Sequence, residues 1–494
     1  MTLTAENYRE IRRSIANISA DVSNDAVGAN VAKLQDIFAP EAHSIALDPS
    51  TPIILGARGS GKSFWSSVLG QANTRAEVVK AYPKLGLSKV DVQFGYTGVG
   101  GSEGVSVEHI DSLVSTNNAT IEHARAFWWA TILNAATRQF NLETSQRSKP
   151  KDFFSTAQDW EKREDLLEKY EQQLRSQDKT LLIVYDALDT VARTWPRRRL
   201  LTEALLEVVW AMRAYRNIRI KLFLRPDQIE DDALRFVELP KLRTGALRLK
   251  WETEDLYGLL FSRLAITQQD GMSRNAFITL LQNNQINPPD RDAIITRRWS
   301  LVTNKDDQKV IMDAMAGPFM GQGSYAFKKG STYNWPITHL ADAFLEVTPR
   351  SFLGMMIAAA QHGIASENRV ITPDGIRNGL RAASKTRVDQ LQQEFPWIKG
   401  VLAPLSGLLL PQTEDKVIDV WKNAETINQL ISDAESQHYL PPFPPKSKNS
   451  ESDLCVALER IGVMSRRNDD RIDMPDLFRV AAKLLKKGSI TPTS

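Results

Sequence analysis

The sequence has few of the residues that build disulfide-bonded, thiolate-metal or membrane proteins. Cys455 is the single cysteine among 494 residues, which excludes an internal disulfide framework and a cysteine-ligated zinc site. Because it lies between Leu454 and Val456, we expect a small core residue rather than a nucleophile. No stretch approaches the roughly 18 apolar residues of a membrane span, and residues 1–18 lack the apolar run of a signal peptide. The sequence therefore predicts a soluble cytoplasmic protein without membrane contact.

Charge bias and catalytic histidine patterns are also lacking. Lys and Arg number 62 against 59 Asp and Glu, so a surface for an anionic partner has to be a local patch. The six histidines show no paired metal-ligand spacing, and neither a Gly-x-Ser-x-Gly elbow nor a Cys–His pattern is present. These absences argue against hydrolase or protease chemistry of those kinds. The length predicts two to four domains, and the 42% hydrophobic content is globular.

The most informative feature present is a glycine-rich loop. Residues 56–63 read Gly-Ala-Arg-Gly-Ser-Gly-Lys-Ser, after an apolar strand at 52–55 and before a helix that starts near Phe64. Strand, glycine loop and helix form the arrangement in which backbone N–H groups and a helix N-terminus bind phosphate. A chance glycine turn is the structural alternative. The predicted nucleotide-binding residues are Gly56, Ala57, Arg58, Gly59, Ser60, Gly61, Lys62, Ser63 and Phe64.

Two residues of this loop carry specific chemistry. Lys62 is placed to reach the β- and γ-phosphates of a nucleotide, and the Ser63 hydroxyl is placed as a magnesium ligand. The pattern therefore predicts ATP and Mg²⁺ as cofactors, although it does not separate ATP from GTP.

A second acidic element follows the most apolar strand. Residues 181–185 are an unbroken hydrophobic run that ends in Asp186, as in a Walker B strand whose carboxylate holds magnesium. A helix-capping aspartate is the structural alternative. Many ATPases of this kind have a glutamate next, whereas this chain has Ala187; Asp189 could take over the role of the base. This departure predicts either another base or slow hydrolysis.

Several arginines are candidates for sensing the γ-phosphate. Arg225 follows the fourth predicted strand, where it is either a sensor or a surface ion pair with Asp227. Arg350, at the start of a helix in a predicted lid, would couple nucleotide state to lid closure. Four further arginines could serve a neighbouring subunit's nucleotide, a DNA backbone or only solvent: Arg193, Arg197, Arg198 and Arg199.

The periodicity predicts an α/β fold in which a parallel-sheet P-loop NTPase core carries a helical lid and a C-terminal winged-helix-like domain. Five strands, near residues 53, 92, 183, 221 and 249, alternate with helices. The first forty-five residues are expected to be helical and to pack beside this core. The predicted segments are an N-terminal helical segment at 1–45, the core at 46–252, the lid at 253–365 and the C-terminal domain at 366–494.

The C-terminal pattern combines a helix, a hairpin around residues 468–470 and a basic last helix, which favours a winged helix. Such a fold binds either DNA or protein, and acidic neighbours at 469, 470, 473 and 476 dilute its positive charge. The basic residues in question are Arg466, Arg467, Arg471, Lys483, Lys486 and Lys487.

Taken together, these motifs resemble those of bacterial P-loop ATPases of the AAA+ superfamily, in the neighbourhood of the KAP, STAND and origin-recognition-like groups. The residues that carry the resemblance are those of the glycine loop, Val184 to Asp189, Phe223 to Asp227, and Thr348-Pro349-Arg350. The resemblance implies a core, a lid with its sensor at Arg350, and a C-terminal winged helix. It also implies a homo-oligomer that acts as a switch, often with an effector encoded nearby, in DNA transactions or defence against phage.

The sequence leaves three functional hypotheses. The first is an ATP-hydrolysing switch that controls oligomerisation and a DNA or protein effector; its turnover is either slow or stimulated by a partner. The second is a non-hydrolysing, nucleotide-stabilised scaffold for a partner protein, which Ala187 favours. The third gives priority to DNA binding through the C-terminal basic patch.

Overall fold

A computed structural model describes residues 3–19, 25–100, 105–114, 120–140, 148–192, 195–229, 234, 236–266, 271–437, 439, 441–443, 447 and 449–487. The chain forms two compact units. One comprises residues 22–250, and the other comprises residues 1–21 together with 251–494. In the described part of the chain, no helix is both long and apolar enough to cross a bilayer.

The unit at 22–250 is built on a five-stranded parallel sheet with the strand order β2-β3-β4-β1-β5. Its strands are β1 (Ile53–Leu55), β2 (Val90–Tyr96), β3 (Thr180–Tyr185), β4 (Ile218–Leu224) and β5 (Leu247–Arg248). All the pairings are parallel, so the carboxyl ends of the strands share one edge. The loops that follow β1, β3 and β4 therefore meet there, as expected for an α/β nucleotide-binding core.

Helices connect these strands, and their apolar faces form the core. The helix α1 (Ala5–Ala16) precedes this unit, whose own helices are α2 (His43–Leu47), α3 (Lys62–Gly70), α4 (Ala72–Ala81), α5 (Val107–Leu113), α6 (Ile121–Phe140), α7 (Phe154–Gln158), α8 (Trp160–Ser176), α9 (Trp195–Ala211), α10 (Pro226–Ile229) and α11 (Leu239–Thr244). β3 is fully buried from Leu181 to Tyr185, which explains its unbroken apolar run. Trp128 of α6 packs edge-on against Tyr185 with ring centroids 5.8 Å apart. The five strands predicted from the sequence are confirmed.

The second unit is helical. Its helices after α1 are α12 (Thr253–Ile266), α13 (Gly271–Asn283), α14 (Arg291–Ile295), α15 (Ser300–Thr303), α16 (Lys305–Ala316), α17 (Asn334–Leu340), α18 (Pro349–Gln361), α19 (Pro373–Glu394), α20 (Ile398–Leu402), α21 (Glu414–Asn423), α22 (Thr426–Gln437), α23 (Ser450–Arg460) and α24 (Asp476–Arg479). The Thr348 and Thr372 side chains cap α18 and α19, and a proline follows each of them. Both starts match the sequence prediction. Cys455 is fully buried in α23, also as expected, and burial raises the pKa of its thiol to about 12.

The expectation of helix throughout residues 1–45 is wrong. Beyond α1 and before α2, the described residues contain only a 3₁₀ turn at Leu34–Asp36. Gly28 has φ +107°, a conformation that a helix does not allow, and Pro40 removes a backbone donor. α1 packs against α13 and α18 of the second unit, so the predicted segment at 1–45 is divided between the two units. The predicted division into four segments stays a prediction.

The C-terminal region contains the expected hairpin but lacks the expected last helix. β7 (Ser465–Arg466) pairs antiparallel with β8 (Ile472–Asp473). After α24 the chain turns at Lys483, where φ is +57°, and β9 (Leu485–Lys486) pairs in parallel with β6 (Leu409–Leu410). The prediction that Lys483, Lys486 and Lys487 lie on a helix is therefore wrong, because strand pairing with β6 replaces helix continuation.

Candidate nucleotide-binding site

The glycine loop joins β1 to α3 at the carboxyl edge of the sheet. The Gly56 N–H donates to the Leu224 carbonyl at 3.1 Å, which fixes the start of the loop to the end of β4. Gly59 and Gly61 have φ values of +84° and +104°, which side-chain-bearing residues rarely adopt. Gly61 directly precedes the first residue of α3. The loop thus presents backbone N–H groups and a helix N-terminus, which together favour an anion.

The structure brings the two predicted magnesium ligands together. The Ser63 hydroxyl lies close enough to the Asp186 carboxylate to lower its pKa, although Ser63 follows β1 and Asp186 follows β3. The Lys62 ammonium donates to the carbonyl oxygens of Gly56 and Ala57 at 2.6 and 3.1 Å, and it attracts Asp186 electrostatically. Lysine, hydroxyl and carboxylate therefore form one cluster beside the loop.

Asp186 is almost completely buried, with 3% of its surface exposed. Burial raises the pKa of its carboxyl, while the Ala187 N–H, the Ser63 hydroxyl and Lys62 all act to lower it. A buried carboxylate with a raised pKa carries negative charge at a cost, and a bound cation would remove that cost. This environment fits a magnesium ligand better than the alternative of a helix-capping aspartate.

Asp189 lies one turn beyond Asp186. Ala187 lies between them and is the residue that departs from the ATPase pattern. Its backbone is in the left-handed region, with φ +54° and ψ +29°. The Thr190 N–H donates to the Ala187 carbonyl and closes a 3₁₀ turn, which leaves the Asp189 side chain 41% exposed. Asp189 can therefore meet solvent at this edge of the sheet, as a base or a water-positioning residue must.

Arg225 forms an ion pair, but not the surface pair considered from the sequence. Its side chain is 6% exposed; its Nε and Nη2 donate to the two Asp227 oxygens at 3.0 and 2.8 Å. Its Nη1 lies 3.6 Å from Asp189 Oδ2. This bidentate geometry holds a guanidinium rigidly between Asp189 and Asp227. An ion pair of Arg225 with Asp227 is therefore compatible with the prediction that Arg225 is a sensor.

Two of the four other arginines are packed rather than solvated. The Arg197 Nη2 donates to Asp111 Oδ1 at 2.6 Å, with 9% of the arginine side chain exposed. Burial lowers the pKa of Arg198, whose charge interacts with Arg225 and Asp189. Arg199 is half-buried, and Arg193 lies outside the described residues. Of the three alternatives, contact with solvent alone does not hold for Arg197 and Arg198, because both side chains pack onto the unit that holds the loop.

Sequence reasoning missed a set of contacts behind the loop. The Trp65 indole N–H donates to His43 Nδ1 at 2.9 Å, so the His43 proton lies on Nε2, which donates to the Lys250 carbonyl at 2.9 Å. This chain of contacts joins α2, α3 and the residues after β5. Nothing in the local sequence distinguishes His43 from a surface histidine.

Lys221 was also missed, although a lysine between Ile220 and Leu222 in a buried strand is a detectable signal. Its side chain is fully buried, and its ammonium donates to the carbonyls of Ala46, Asp48 and Thr51 at 2.7 to 2.9 Å. Lys221 thus anchors the segment that leads into β1.

The remaining predicted residues lie in the other unit. Arg350 is the second residue of α18, and its role as a sensor stays a prediction. In the C-terminal patch, Arg466 pairs with Glu414 and Glu459, Arg467 with Asp473, and Arg471 with Asp469. Lys486 shares Asp473 with Arg467. Because carboxylates within the domain already pair with these cations, the patch is a weaker phosphate-binding surface than the sequence suggested.

The fold and the loop define the unit at 22–250 as a P-loop nucleotide-binding core of the α/β class. No protein-family model matches the chain, and no curated protein matches it. Among solved structures, the chain is similar to the Aeropyrum pernix ORC2 protein, which was solved as ADPNP-ADP complexes. The match covers 88% of this chain and 86% of that chain, with 13% identity and a TM-score of 0.29. A likeness this low supports no conclusion about function.

Proposed function

We propose that the protein binds ATP with Mg²⁺ at the P-loop and hydrolyses it slowly as an AAA+-like switch. The observation that carries this proposal is the close approach of Ser63 and Lys62 to the buried Asp186 carboxylate. Three residues from two strand ends converge there, each of a type that the Mg²⁺ complex of a nucleoside triphosphate requires. A chance glycine turn would not bring a buried carboxylate to the same edge.

In this proposal the loop N–H groups and Lys62 hold the phosphates, while Ser63 and Asp186 hold the metal. Magnesium, once bound, neutralises charge that builds up on the phosphates. Because protein sites for Mg²⁺ commonly supply one or two ligands and leave the rest to water and phosphate, this pair is sufficient. Asp189 orients or deprotonates the attacking water, since its exposed carboxylate follows Asp186 by one turn.

Slow turnover follows from the positions of Ala187 and Arg225. A methyl group at residue 187 cannot orient water, and Arg225 is held by Asp227 and Asp189 in this structure. Arg225 would have to leave Asp189 before that carboxylate could act as a base. A partner or a neighbouring subunit that releases this contact would accelerate hydrolysis.

The test measures nucleotide-induced thermal stabilisation and phosphate release with ATP and Mg²⁺. We expect Lys62→Ala to lose the stabilisation and Asp189→Asn to keep it while losing phosphate release. Lys84→Ala, which removes an exposed lysine elsewhere in the same unit, is the matched control and should behave as the wild type. Equal stabilisation of Lys62→Ala and wild type would refute binding at the P-loop.

The biological output proposed is a change in self-association that acts on a DNA or protein effector, in defence against phage or in DNA transactions. Support comes from the resemblance given by the motifs, with Arg350 as the residue that reports nucleotide state to a lid. Size-exclusion chromatography with light scattering in ATP, ADP and no nucleotide tests it. A mass that is the same in all three conditions contradicts the switch.

The alternative is a non-hydrolysing scaffold that nucleotide stabilises for a partner protein, favoured by Ala187. It shares the nucleotide site but predicts no phosphate release under any condition. Asp189→Asn separates the two proposals, because in a scaffold this substitution leaves both stabilisation and assembly unchanged.

A further inference from the structure

Outside the P-loop unit, one loop combines exposed aromatic rings with lysines. It spans residues 318–330, between α16 and α17, and we call it the aromatic loop. Phe319, Tyr325 and Phe327 are 38%, 68% and 56% exposed. Among the described residues, only Trp160 and Phe344 are other large aromatic side chains with comparable exposure. Three exposed rings within nine residues are an unusual concentration for a surface that contacts only water.

The charge around these rings has one sign. Lys328 and Lys329 are exposed, and within the described part of the chain neither pairs with a carboxylate. Residues 314–341 contain no Asp or Glu. Asp374 is already paired with Arg377, the arginine that donates to the Met320 carbonyl of this loop. The contrast with the C-terminal patch is clear, since each arginine of that hairpin is already paired.

The loop is held in shape from below. The Met320 N–H donates to the Gly330 carbonyl at 2.9 Å, and the Thr332 N–H donates to the Pro318 carbonyl at 3.2 Å. Arg377 of α19 donates to the Met320 carbonyl. Met320 and Thr332 are buried, so the base of the loop belongs to the core while its tip is exposed. A tip fixed in this way loses little conformational entropy on binding.

Lys328 brings a positive charge next to one of the exposed aromatic rings. Its ammonium lies 4.7 Å from the centroid of the Tyr325 ring, a cation–π contact. A positive charge beside an exposed ring matches a nucleotide unit, in which a base stacks on the ring while its phosphate meets the cation. Bases are available for stacking only when they are not paired, so a duplex does not fit.

We propose that the aromatic loop binds single-stranded nucleic acid through base stacking on Tyr325 and Phe327 and phosphate contacts from Lys328 and Lys329. A membrane surface is less suitable, because glycines and polar residues at 321–324 separate Phe319 from Tyr325 and Phe327. The proposal is independent of the P-loop: it does not require that ATP bind.

The experiment measures fluorescence anisotropy of a labelled oligothymidylate of about 20 nucleotides, long enough to cover a stacking site. We expect the double variant Tyr325→Ala with Phe327→Ala to raise Kd at least about five-fold, the loss expected for removing base stacking. Tyr325→Trp should bind the oligonucleotide with the wild-type Kd, because it keeps an aromatic ring. Tyr325→Leu should raise Kd, because it keeps an apolar side chain but loses the ring. Trp160→Ala removes an exposed ring in the other unit and is the matched control.

The lysines are tested by salt dependence. For the double variant Lys328→Gln with Lys329→Gln, the slope of log Kd against log salt should fall by about 1.4, or roughly 0.7 per lost contact on a single strand. Lys416→Gln with Lys422→Gln on α21 is the control and should retain the wild-type slope.

Three results would overturn the proposal. The first is no oligothymidylate binding by the wild-type protein at low salt. The second is wild-type affinity in both loop double variants, and a loss on changing Arg466 and Arg467 would then move the site to the C-terminal hairpin. The third is loop-dependent binding of phosphatidylserine vesicles without binding of the oligonucleotide. Circular dichroism of each variant distinguishes lost binding from lost folding.

Discussion

The buried Asp186 carboxylate lies at the site proposed for Mg²⁺, where the ion would need a negatively charged ligand. Because burial raises the pKa of its carboxyl, the folded protein holds a proton there more readily than the unfolded chain. The contribution of Asp186 to stability therefore falls as pH rises from its ordinary value through the raised one. In the proposed function, Asp186 would serve ligand binding at neutral pH at the expense of ligand-free stability.

We accordingly expect Asp186→Asn to raise the melting temperature of the ligand-free protein at neutral pH and to abolish the extra stabilisation by Mg²⁺ with ATP. The amide is isosteric and neutral, so it avoids the burial of charge. Thermal unfolding with and without Mg²⁺ and ATP measures both effects. Asp165→Asn, at an exposed position of α8, is the control and should change neither; a lower melting temperature for Asp186→Asn would contradict the argument.

Lys221 is a second buried charge, and burial lowers its pKa to about 7. Between that value and the ordinary lysine pKa of 10.5, the unfolded chain binds a proton that the folded protein does not, so this residue makes stability rise with pH. We expect Lys221→Met to reduce overall stability, since three carbonyls lose a donor, and to flatten the rise in stability between about pH 7 and 9. Urea unfolding across this range measures the slope. Lys84→Met, the control, should keep the wild-type dependence of stability on pH. If Lys221→Met also kept the wild-type dependence, titration of Lys221 would be ruled out.

At the scale of elements, the loops after β2 and β3 fit closely against each other. A Cβ on Gly98 would lie 2.9 Å from both the Ala187 Cβ and the Thr190 Oγ1, and Gly98 has φ +72°. The Tyr96 hydroxyl also bonds to the Thr190 hydroxyl at 3.0 Å. The left-handed turn at Ala187 is thus braced by β2, which positions Asp186 and Asp189.

Gly98→Ala should therefore destabilise the protein by about 1–3 kcal/mol, through backbone strain and overpacking. It should also reduce phosphate release more than nucleotide binding, since Asp189 moves while the P-loop does not. Chemical denaturation and phosphate release are the measurements. Gly86→Ala is the control, because Gly86 also has a positive φ but no atom lies within 4 Å of the Cβ that alanine would add. Gly86→Ala should therefore show the backbone strain without the loss of phosphate release. Equal phosphate release in the two variants would show that the contact with Ala187 is unimportant.

At the scale of the whole molecule, the first helix of the chain, α1, belongs to the same unit as residues 251–494. Arg12 of α1 donates to the carbonyls of His362, Gly363 and Ile364 at 2.8 to 3.2 Å, just after α18 ends. Such a cation compensates the carbonyl end of the helix. Glu10 of α1 accepts from the Ser273 hydroxyl of α13 at 2.8 Å.

Arg12→Ala should cost about 1.5–3 kcal/mol, the usual effect of losing hydrogen bonds from a charged donor. Because α1 belongs to the unit without the P-loop, stabilisation by ATP should persist in this variant. Denaturant unfolding and nucleotide-induced thermal shift check the two statements. Arg9→Ala, at an exposed position of the same helix, should leave stability unchanged; a similar cost for both variants would contradict the assigned role.

Local pattern was sufficient wherever a short stretch of sequence controls structure. Apolar runs specified β1 and β3, alternation of apolar residues specified the other three strands, and the Thr-Pro pairs specified the starts of α18 and α19. The glycine loop was specific because its chemistry requires fixed spacing. The helical spacing of Val31, Leu34 and Ile37 contributed to the wrong expectation of helix up to residue 45, since such spacing also occurs in irregular segments that pack on a core.

The sequence by itself determined the α/β class and the composition of the phosphate loop, because strand hydrophobicity and glycine spacing are local properties. Only the tertiary structure decided that Ser63 meets Asp186, that Arg225 lies between Asp189 and Asp227, and that Lys221 anchors the segment before β1. These contacts join residues distant along the chain. They depend on the strand order, which places β4 between β1 and β3, and no local pattern encodes that order.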